Sequence, residues 1–168
     1  MELYFLRHAE AVSLDDVHVK TDFDRYLTSD GKNMAKGIGQ FFERLDIKLN
    51  AIFSSPYPRA WETGKIIARQ LGIEVEKLSP LAVGSDPEEL IRVLNSKTNP
   101  NGSFLLIGHE PQLSQLMSFL ISGDASIDIL FKKSTLSKLY IERLYFGRCA
   151  QLRVLIQPDV LKNFLVSK

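Results

Sequence analysis

Residues 2–10 have the sequence Glu-Leu-Tyr-Phe-Leu-Arg-His-Ala-Glu, in which an apolar run ends in Arg7 and His8. A short apolar run bounded by polar residues is typical of a buried strand in a parallel sheet. We therefore predict a first strand over residues 2–6, with Arg7 and His8 directly after its carboxyl end. Ligands of open α/β sheets bind at the carboxyl ends of strands, so this stretch predicts both a fold type and the place of a site.

The same pattern recurs along the chain and alternates with longer segments of helical periodicity, which indicates a layered α/β fold. Helices are expected where a capping residue or a proline precedes apolar residues spaced three and four apart. Further strands are predicted over residues 51–54, 73–76, 103–107, 136–141 and 152–156, the last two as a hairpin at one edge, and helices begin near Thr28, Pro58, Asp86 and Pro111.

The composition is that of a globular protein. The chain has 168 residues, 45% of them hydrophobic and 24% charged, which excludes a disordered polypeptide and predicts a single domain over residues 1–168. Its 21 Lys and Arg residues nearly balance its 20 Asp and Glu residues. This balance argues against nucleic-acid binding through a general basic field, so any anion site must be local.

The cysteine and histidine content predicts the compartment and the cofactor requirement. Cys149 is the sole cysteine, and the N-terminal apolar run reaches the charged Arg7 too soon for a signal peptide. No apolar stretch approaches the roughly 20 residues that span a bilayer. The three histidines are isolated in sequence, without metal-ligand spacing. We expect a cytoplasmic protein with no membrane contact, no metal and no cofactor.

Four side chains suited to an anion follow predicted strands. Arg7 and His8 follow the first strand, Arg59 comes shortly after the strand over 51–54, and His109 comes after the strand over 103–107. If these strands are neighbours, the four side chains converge. Two guanidinium groups match the oxygens of a phosphoryl group, although a carboxylate or sulfate is also possible. A histidine in this position adds a potential nucleophile.

The motifs that carry these residues resemble those of the histidine phosphatase superfamily, the phosphoglycerate-mutase-like branch 1. They are Leu-Arg-His-Ala-Glu at 6–10, Leu-Thr-Ser-Asp-Gly at 27–31, Ser-Ser-Pro-Tyr-Pro-Arg-Ala-Trp-Glu-Thr at 54–63 and Gly-His at 108–109. The resemblance implies a three-layer α/β/α sandwich with a mostly parallel sheet and metal-independent chemistry. We expect neutral His8 to be the nucleophile, with a backbone carbonyl holding its other ring nitrogen as N–H. Arg7, Arg59 and His109 would complete the catalytic set and bind the phosphate.

Two departures from the family pattern bear on the substrate. Ala9 replaces the usual glycine after the nucleophile, a small change. Residues 78–85 contain no carboxylate, whereas sugar-phosphate members carry a general-acid glutamate in this region. An imidazole, with a pKa of about 6.5, leaves phosphorus more easily than an alkoxide and needs less protonation. In lacking this acid, the chain resembles the SixA-type phosphohistidine phosphatases. The resemblance predicts hydrolysis of phosphohistidine in a phosphotransfer or carrier protein.

Two other functions stay open. A phosphomonoesterase acting on a small metabolite or sugar phosphate could take its acid from Asp86 or Glu88, although a helix start explains both residues. A phosphate-binding module without turnover is the other alternative. A pure binder would have no need of an imidazole at His8, which argues against that second alternative.

Overall fold

The computed structural model describes residues 1–166, so the last two residues of the predicted domain lie outside the described residues. The strands are β1 Glu2–Arg7, β2 Ala51–Ser54, β3 Val75–Lys77, β4 Ser103–Gly108, β5 Leu136–Ile141 and β6 Ala150–Ile156. The helices are α1 Ser29–Arg44, α2 Pro58–Leu71, α3 Pro87–Lys97, α4 Gln112–Ser122 and α5 Pro158–Val166, with short 3-10 helices at Asp22–Asp24 and Ser79–Leu81.

The six strands form one sheet in the order β3-β2-β4-β1-β5-β6. The first four in this order are parallel, whereas β5 is antiparallel to both β1 and β6. The mostly parallel sheet and the late hairpin at its edge confirm the predicted topology. Arg7 pairs with Gly108 and Ser54 pairs with Ile107, so β1, β4 and β2 end side by side.

Alternate residues of the central strands pack into two cores, one on each face of the sheet. Leu3 and Phe5 contribute to the core that includes α3 and α4. Tyr4 and Leu6 contribute to the opposite core, which includes α1, α2 and α5. Because side chains of a strand alternate between faces, a strand buried on both sides is apolar at every position. This accounts for the unbroken apolar run and confirms the predicted three layers.

The helix ends follow the predicted capping signals. Thr28 is the N-cap of α1 and its side chain accepts a hydrogen bond from the Gly31 N–H. Gly72 ends α2 in the left-handed conformation, at φ 65°. The prediction of a strand starting at residue 73 was two residues early. The Ile73 N–H still closes the end of α2 by donating to the Ala68 carbonyl, so pairing with β2 starts later.

Helix α5 had not been predicted, because nine residues carry few turns over which to detect a helical period. Its position depends on a long-range contact instead. Leu161 is fully buried in the core that α1 and α2 share. None of the helices found within residues 1–166 is long and apolar enough to cross a membrane.

Candidate active site

The four predicted residues lie together at the carboxyl end of the sheet. His8 and His109 have ring centroids 5.1 Å apart. Nε of Arg59 donates to Nε2 of His8 over 3.1 Å. Arg7, at the end of β1, is opposite Gly108, the residue before His109. His8, Arg59 and His109 are at most 4% exposed, so the charge of Arg59 acts in a partly dehydrated environment.

The His8 ring is held with one nitrogen unprotonated. Nδ1 is 2.7 Å from the carbonyl oxygen of Ala9, which assigns the proton to Nδ1 and leaves the lone pair on Nε2. Burial lowers the pKa of His8 to about 2; the hydrogen bond to the Ala9 carbonyl opposes this shift, whereas His109, Arg59 and Arg7 add to it. The imidazole is therefore neutral at physiological pH, as the sequence predicted.

Thr63 supports this arrangement from helix α2. Its fully buried hydroxyl accepts from the Ala9 N–H at 3.1 Å and donates to the Arg59 carbonyl at 2.7 Å. One side chain thus ties the residue that orients His8 to the helix that carries Arg59. The threonine of the 54–63 motif has a structural role that links two parts of the site.

The His109 ring is oriented by a serine that had not been predicted to touch it. Nε2 of His109 lies 2.8 Å from Oγ of Ser55, and this oxygen also accepts from the Tyr57 N–H at 3.3 Å. The Ser55 oxygen keeps a second lone pair, so either tautomer of His109 satisfies this contact, and we assign the one in which the Ser55 O–H donates to Nε2 and Nδ1 carries the proton. Burial, followed by the charge on Arg59, lowers the pKa of His109 to about 3. The ring is thus neutral, with one N–H donor.

Two buried donors of the site have no hydrogen-bond partner. Among the described residues, the buried side-chain nitrogen and oxygen atoms without a partner are Nε of Arg7, Nδ1 of His109 and Oε1 of Gln112. Nη1 of Arg7 does have a partner, the carbonyl oxygen of Phe131 at 2.9 Å. An unsatisfied buried donor costs about 1–3 kcal/mol, so each of these N–H groups favours an acceptor such as an anion.

The guanidinium of Arg59 is engaged by Asp22, which sequence reasoning missed. Nη1 of Arg59 donates to the Asp22 carbonyl at 2.6 Å, and Nη2 donates to Oδ2 at 2.8 Å. The same carboxylate accepts from Nη1 of Arg25 at 3.0 Å through Oδ1. In the sequence, the spacing of Thr21 and Asp24 signals only a capped turn, and nothing there indicates where the turn packs.

Asp22 remains ionised in this position. Partial burial raises its pKa, but the hydrogen bonds and charges of Arg25 and Arg59 outweigh that effect and hold the pKa below its ordinary value. The acidic residue comes from the loop after β1 rather than from residues 78–85, and it is a carboxylate rather than a proton donor.

Aromatic rings form one wall of the site. Tyr57 lies edge-on to His109 with centroids 5.0 Å apart, and the Arg59 guanidinium lies 5.0 Å from the centre of the Tyr57 ring. Phe23 packs on Tyr57 at 4.9 Å and remains 48% exposed. The wall thus extends from the buried histidine to the surface of the protein.

The region after His109 includes a second feature, a cavity of about 550 Å³. Glu110 and Gln112 contribute to its lining together with apolar side chains such as Phe119 and Phe146.

Asp86, one of the two residues considered as an acid, accepts from the Glu88 N–H at 2.9 Å as the N-cap of α3. Within residues 1–166, no three His, Cys, Asp or Glu side chains are grouped so as to hold a metal ion.

Comparison with known proteins identifies the family. Residues 3–82 match the model of the histidine phosphatase superfamily (branch 1). Over 136 residues the chain is 30% identical to an uncharacterised protein of Picosynechococcus sp., covering 80% of this chain and 81% of that protein. The chain belongs to the histidine phosphatase superfamily. Membership in the histidine phosphatase superfamily makes it a phosphatase, a hydrolase of phosphorylated substrates.

Solved structures confirm the phosphoglycerate-mutase-like fold. The protein histidine phosphatase SixA complexed with tungstate has a TM-score of 0.80 at 22% identity, covering 96% of this chain and 99% of that chain. A phosphoserine phosphatase mutant from Entamoeba histolytica, in complex with phosphoserine, has a TM-score of 0.73 at 14% identity, with coverages of 95% and 98%. Phosphatases named for different substrates thus share this fold.

Proposed function

We propose that this phosphatase hydrolyses phosphohistidine in a phosphotransfer or carrier protein, through a covalent phosphohistidine on His8. Arg7, Arg59 and His109 bind the phosphoryl oxygens and stabilise charge in the transition state. The enzyme acts as a single domain in the cytoplasm and uses no metal or cofactor. The unpaired Nε of Arg7 and Nδ1 of His109, buried beside His8, carry the proposal, because they offer two donors to one anion.

The chemistry takes place in two displacements. In the first, Nε2 of His8 attacks phosphorus in line as the bond between phosphorus and the substrate imidazole breaks, and the imidazole takes a proton from solvent. In the second, water attacks the phosphorus on His8 and releases inorganic phosphate and a proton. The neutral state of His8 supports its role as nucleophile, because a protonated ring has no lone pair on Nε2.

The contacts of the nearby carboxylates support an imidazole leaving group. Asp22 is paired with two arginines, Asp86 caps α3, and Glu110, whose charge acts on Arg7, accepts hydrogen bonds from the N–H and hydroxyl of Ser114. All three are engaged as hydrogen-bond acceptors, so none is assigned as the proton donor that an alkoxide requires to leave. An imidazole departs with a pKa of about 6.5 and depends far less on such a proton. The similarity of the fold to the protein histidine phosphatase SixA also supports a protein substrate.

Turnover and trapping test the proposal together. A protein phosphorylated on histidine is mixed with enzyme, the reaction is quenched in base, and acid-labile phosphate on the enzyme is located by mass spectrometry. We expect phosphate on His8 of the wild-type enzyme and no phosphorylated enzyme with His8→Ala. His18→Ala is a matched control, because His18 is an exposed histidine of the loop after β1. Unchanged turnover by His8→Ala would exclude the mechanism.

A phosphomonoesterase acting on a small metabolite or sugar phosphate is the second candidate. The cavity of about 550 Å³ beyond His109 favours it, because it has room for a small substrate. A comparison of kcat/KM on a phosphohistidine protein and on sugar phosphates separates the two. Aryl phosphates are a poor control, because a nitrophenol is itself a good leaving group. Higher kcat/KM on a sugar phosphate would favour the second candidate.

A further inference from the structure

The carboxylate of Asp22 occupies the part of Arg59 that the proposed function assigns to the phosphoryl group. We propose that Asp22 determines the anion specificity of the site, as a tethered competitor that a phosphoryl dianion displaces and a monoanion does not. This inference rests on the proposed function, because it assumes that a phosphoryl group binds Arg59. It predicts that removal of the Asp22 carboxylate strengthens the binding of an anion to the site.

The hydrogen bonds of Arg59 show what an incoming anion meets. Nε is directed to His8, while Nη1 and Nη2 are both directed to Asp22. In contrast, Nε of Arg7 and Nδ1 of His109 are buried without hydrogen-bond partners. An anion therefore finds two open donors and a third group, Arg59, that already holds an anion.

Displacement of Asp22 requires little loss of packing. Every residue from 12 to 26 is partly or fully exposed, and the Asp22 side chain itself is 47% exposed. Segments with few buried contacts open at low free-energy cost. The carboxylate also keeps a partner when it leaves Arg59, because Arg25 belongs to the same segment and is 3.0 Å away. The loop can thus move without leaving an isolated charge.

The competition selects by charge. A monoanion such as acetate carries the same charge as Asp22, but it must be recruited from solution, whereas Asp22 is tethered at a high effective concentration. A phosphoryl dianion brings a second charge and enough oxygens to bind Arg7 and His109 as well as Arg59. Only an anion of this kind gains enough interaction free energy to displace the carboxylate.

Calorimetric titration tests the inference with the whole protein. Inorganic phosphate, as the dianion, and acetate are each titrated into wild type, Asp22→Asn and Asp24→Asn. Asp24→Asn is the matched control: it removes a charge from the same 3-10 helix and weakens its cap at Thr21, but leaves Asp22 on Arg59. We expect phosphate to bind Asp22→Asn about fivefold more tightly than wild type, the upper range for a partly exposed ion pair. Acetate should bind Asp22→Asn alone, and Asp24→Asn should resemble wild type.

Each other outcome has a defined meaning. Equal phosphate affinity in wild type and Asp22→Asn overturns the inference, and weaker binding in Asp22→Asn overturns it by showing that Asp22 positions Arg59. A change of the same size in Asp24→Asn also overturns it, because the effect then comes from the loop. Absence of phosphate binding in all three proteins overturns it together with the anion site. If the pattern holds but phosphohistidine is not hydrolysed, the proposed function fails and the competition stands.

Discussion

Nε of Arg59 lies 3.1 Å from Nε2 of His8 and donates a hydrogen bond to it. The nitrogen proposed to attack phosphorus is thus in direct contact with a cation proposed to bind the phosphoryl oxygens. Arg59 comes from the first turn of α2 and His8 from the end of β1, which are brought together by the parallel arrangement of β1, β4 and β2. This contact fixes the orientation of the His8 lone pair relative to the Arg59 guanidinium.

Replacing Arg59 by alanine should abolish most turnover without unfolding the protein. Loss of one donor to a developing charge costs about 3–4 kcal/mol in the barrier, so kcat/KM should fall about 100-fold to 1000-fold. Arg69→Ala is the control, since Arg69 is an exposed arginine of the same helix. Steady-state kinetics measure the effect, with thermal unfolding of both variants to check folding. A fall of less than tenfold would contradict the proposed role.

Ser55→Ala should release His109 from its single tautomer. Without the hydroxyl at 2.8 Å, the proton can move to Nε2, and Nδ1 ceases to be a constant donor. We expect phosphate to bind more weakly and kcat to fall by up to about 100-fold, the cost of a group displaced by about 1 Å. Nitrogen NMR shifts of His109 report the tautomer directly. Ser137→Ala is the control, because Ser137 is equally buried but contacts Met117. Unchanged NMR shifts in Ser55→Ala would reject the assignment.

Thr63→Val should lower both stability and activity. Valine has the same shape but leaves the buried Ala9 N–H without an acceptor, which costs about 1–3 kcal/mol in the free energy of unfolding. Because Ala9 holds Nδ1 of His8, kcat should fall as well. Thr98→Val removes a comparable hydroxyl bond, from Thr98 to Leu94 at the end of α3, and should leave kcat unchanged. Denaturant unfolding and steady-state kinetics of the two variants check this prediction. Equal kcat values for Thr63→Val and Thr98→Val would contradict it.

The protein should lose stability as the pH falls below about 6.5. The folded pKa of His8 is lowered to about 2 and that of His109 to about 3, so between these values and the ordinary pKa the unfolded chain binds protons that the folded chain does not. The free energy of unfolding then rises with pH in this window, by at most about 1.4 kcal/mol per pH unit for each ring.

Denaturant unfolding between pH 7 and pH 4 measures that slope. In His8→Gln one titrating ring is absent, and we expect a shallower slope, with a further decrease in the double variant His8→Gln/His109→Gln. A wild-type slope no steeper than that of the double variant would show that the two rings are not buried as neutral groups. Carboxylates also contribute below about pH 5 in every variant, so the difference between the slopes of the variants, rather than the absolute slope, reports the two rings.

Local signals were sufficient for most of the fold. The apolar run at 2–6 and the cap at Thr28 each depend on neighbours within a few residues, and both lie where predicted. Parallel strands place their carboxyl ends at one edge, so the grouping of His8, Arg59 and His109 followed from their positions after strands. Helix α5 was missed because its position depends on Leu161 packing against a distant core.

The sequence by itself determined the α/β class, the superfamily motifs and the four side chains at the strand ends, because hydrophobic periodicity and capping act over short distances along the chain. Only the tertiary structure decided that Asp22 binds Arg59 and that Ser55 orients His109. Asp22 belongs to an exposed segment without apolar periodicity, so its location follows from the charges it meets in space, across 37 positions of sequence. The same packing decides the charge states, since burial keeps both histidines neutral while two arginines keep Asp22 ionised.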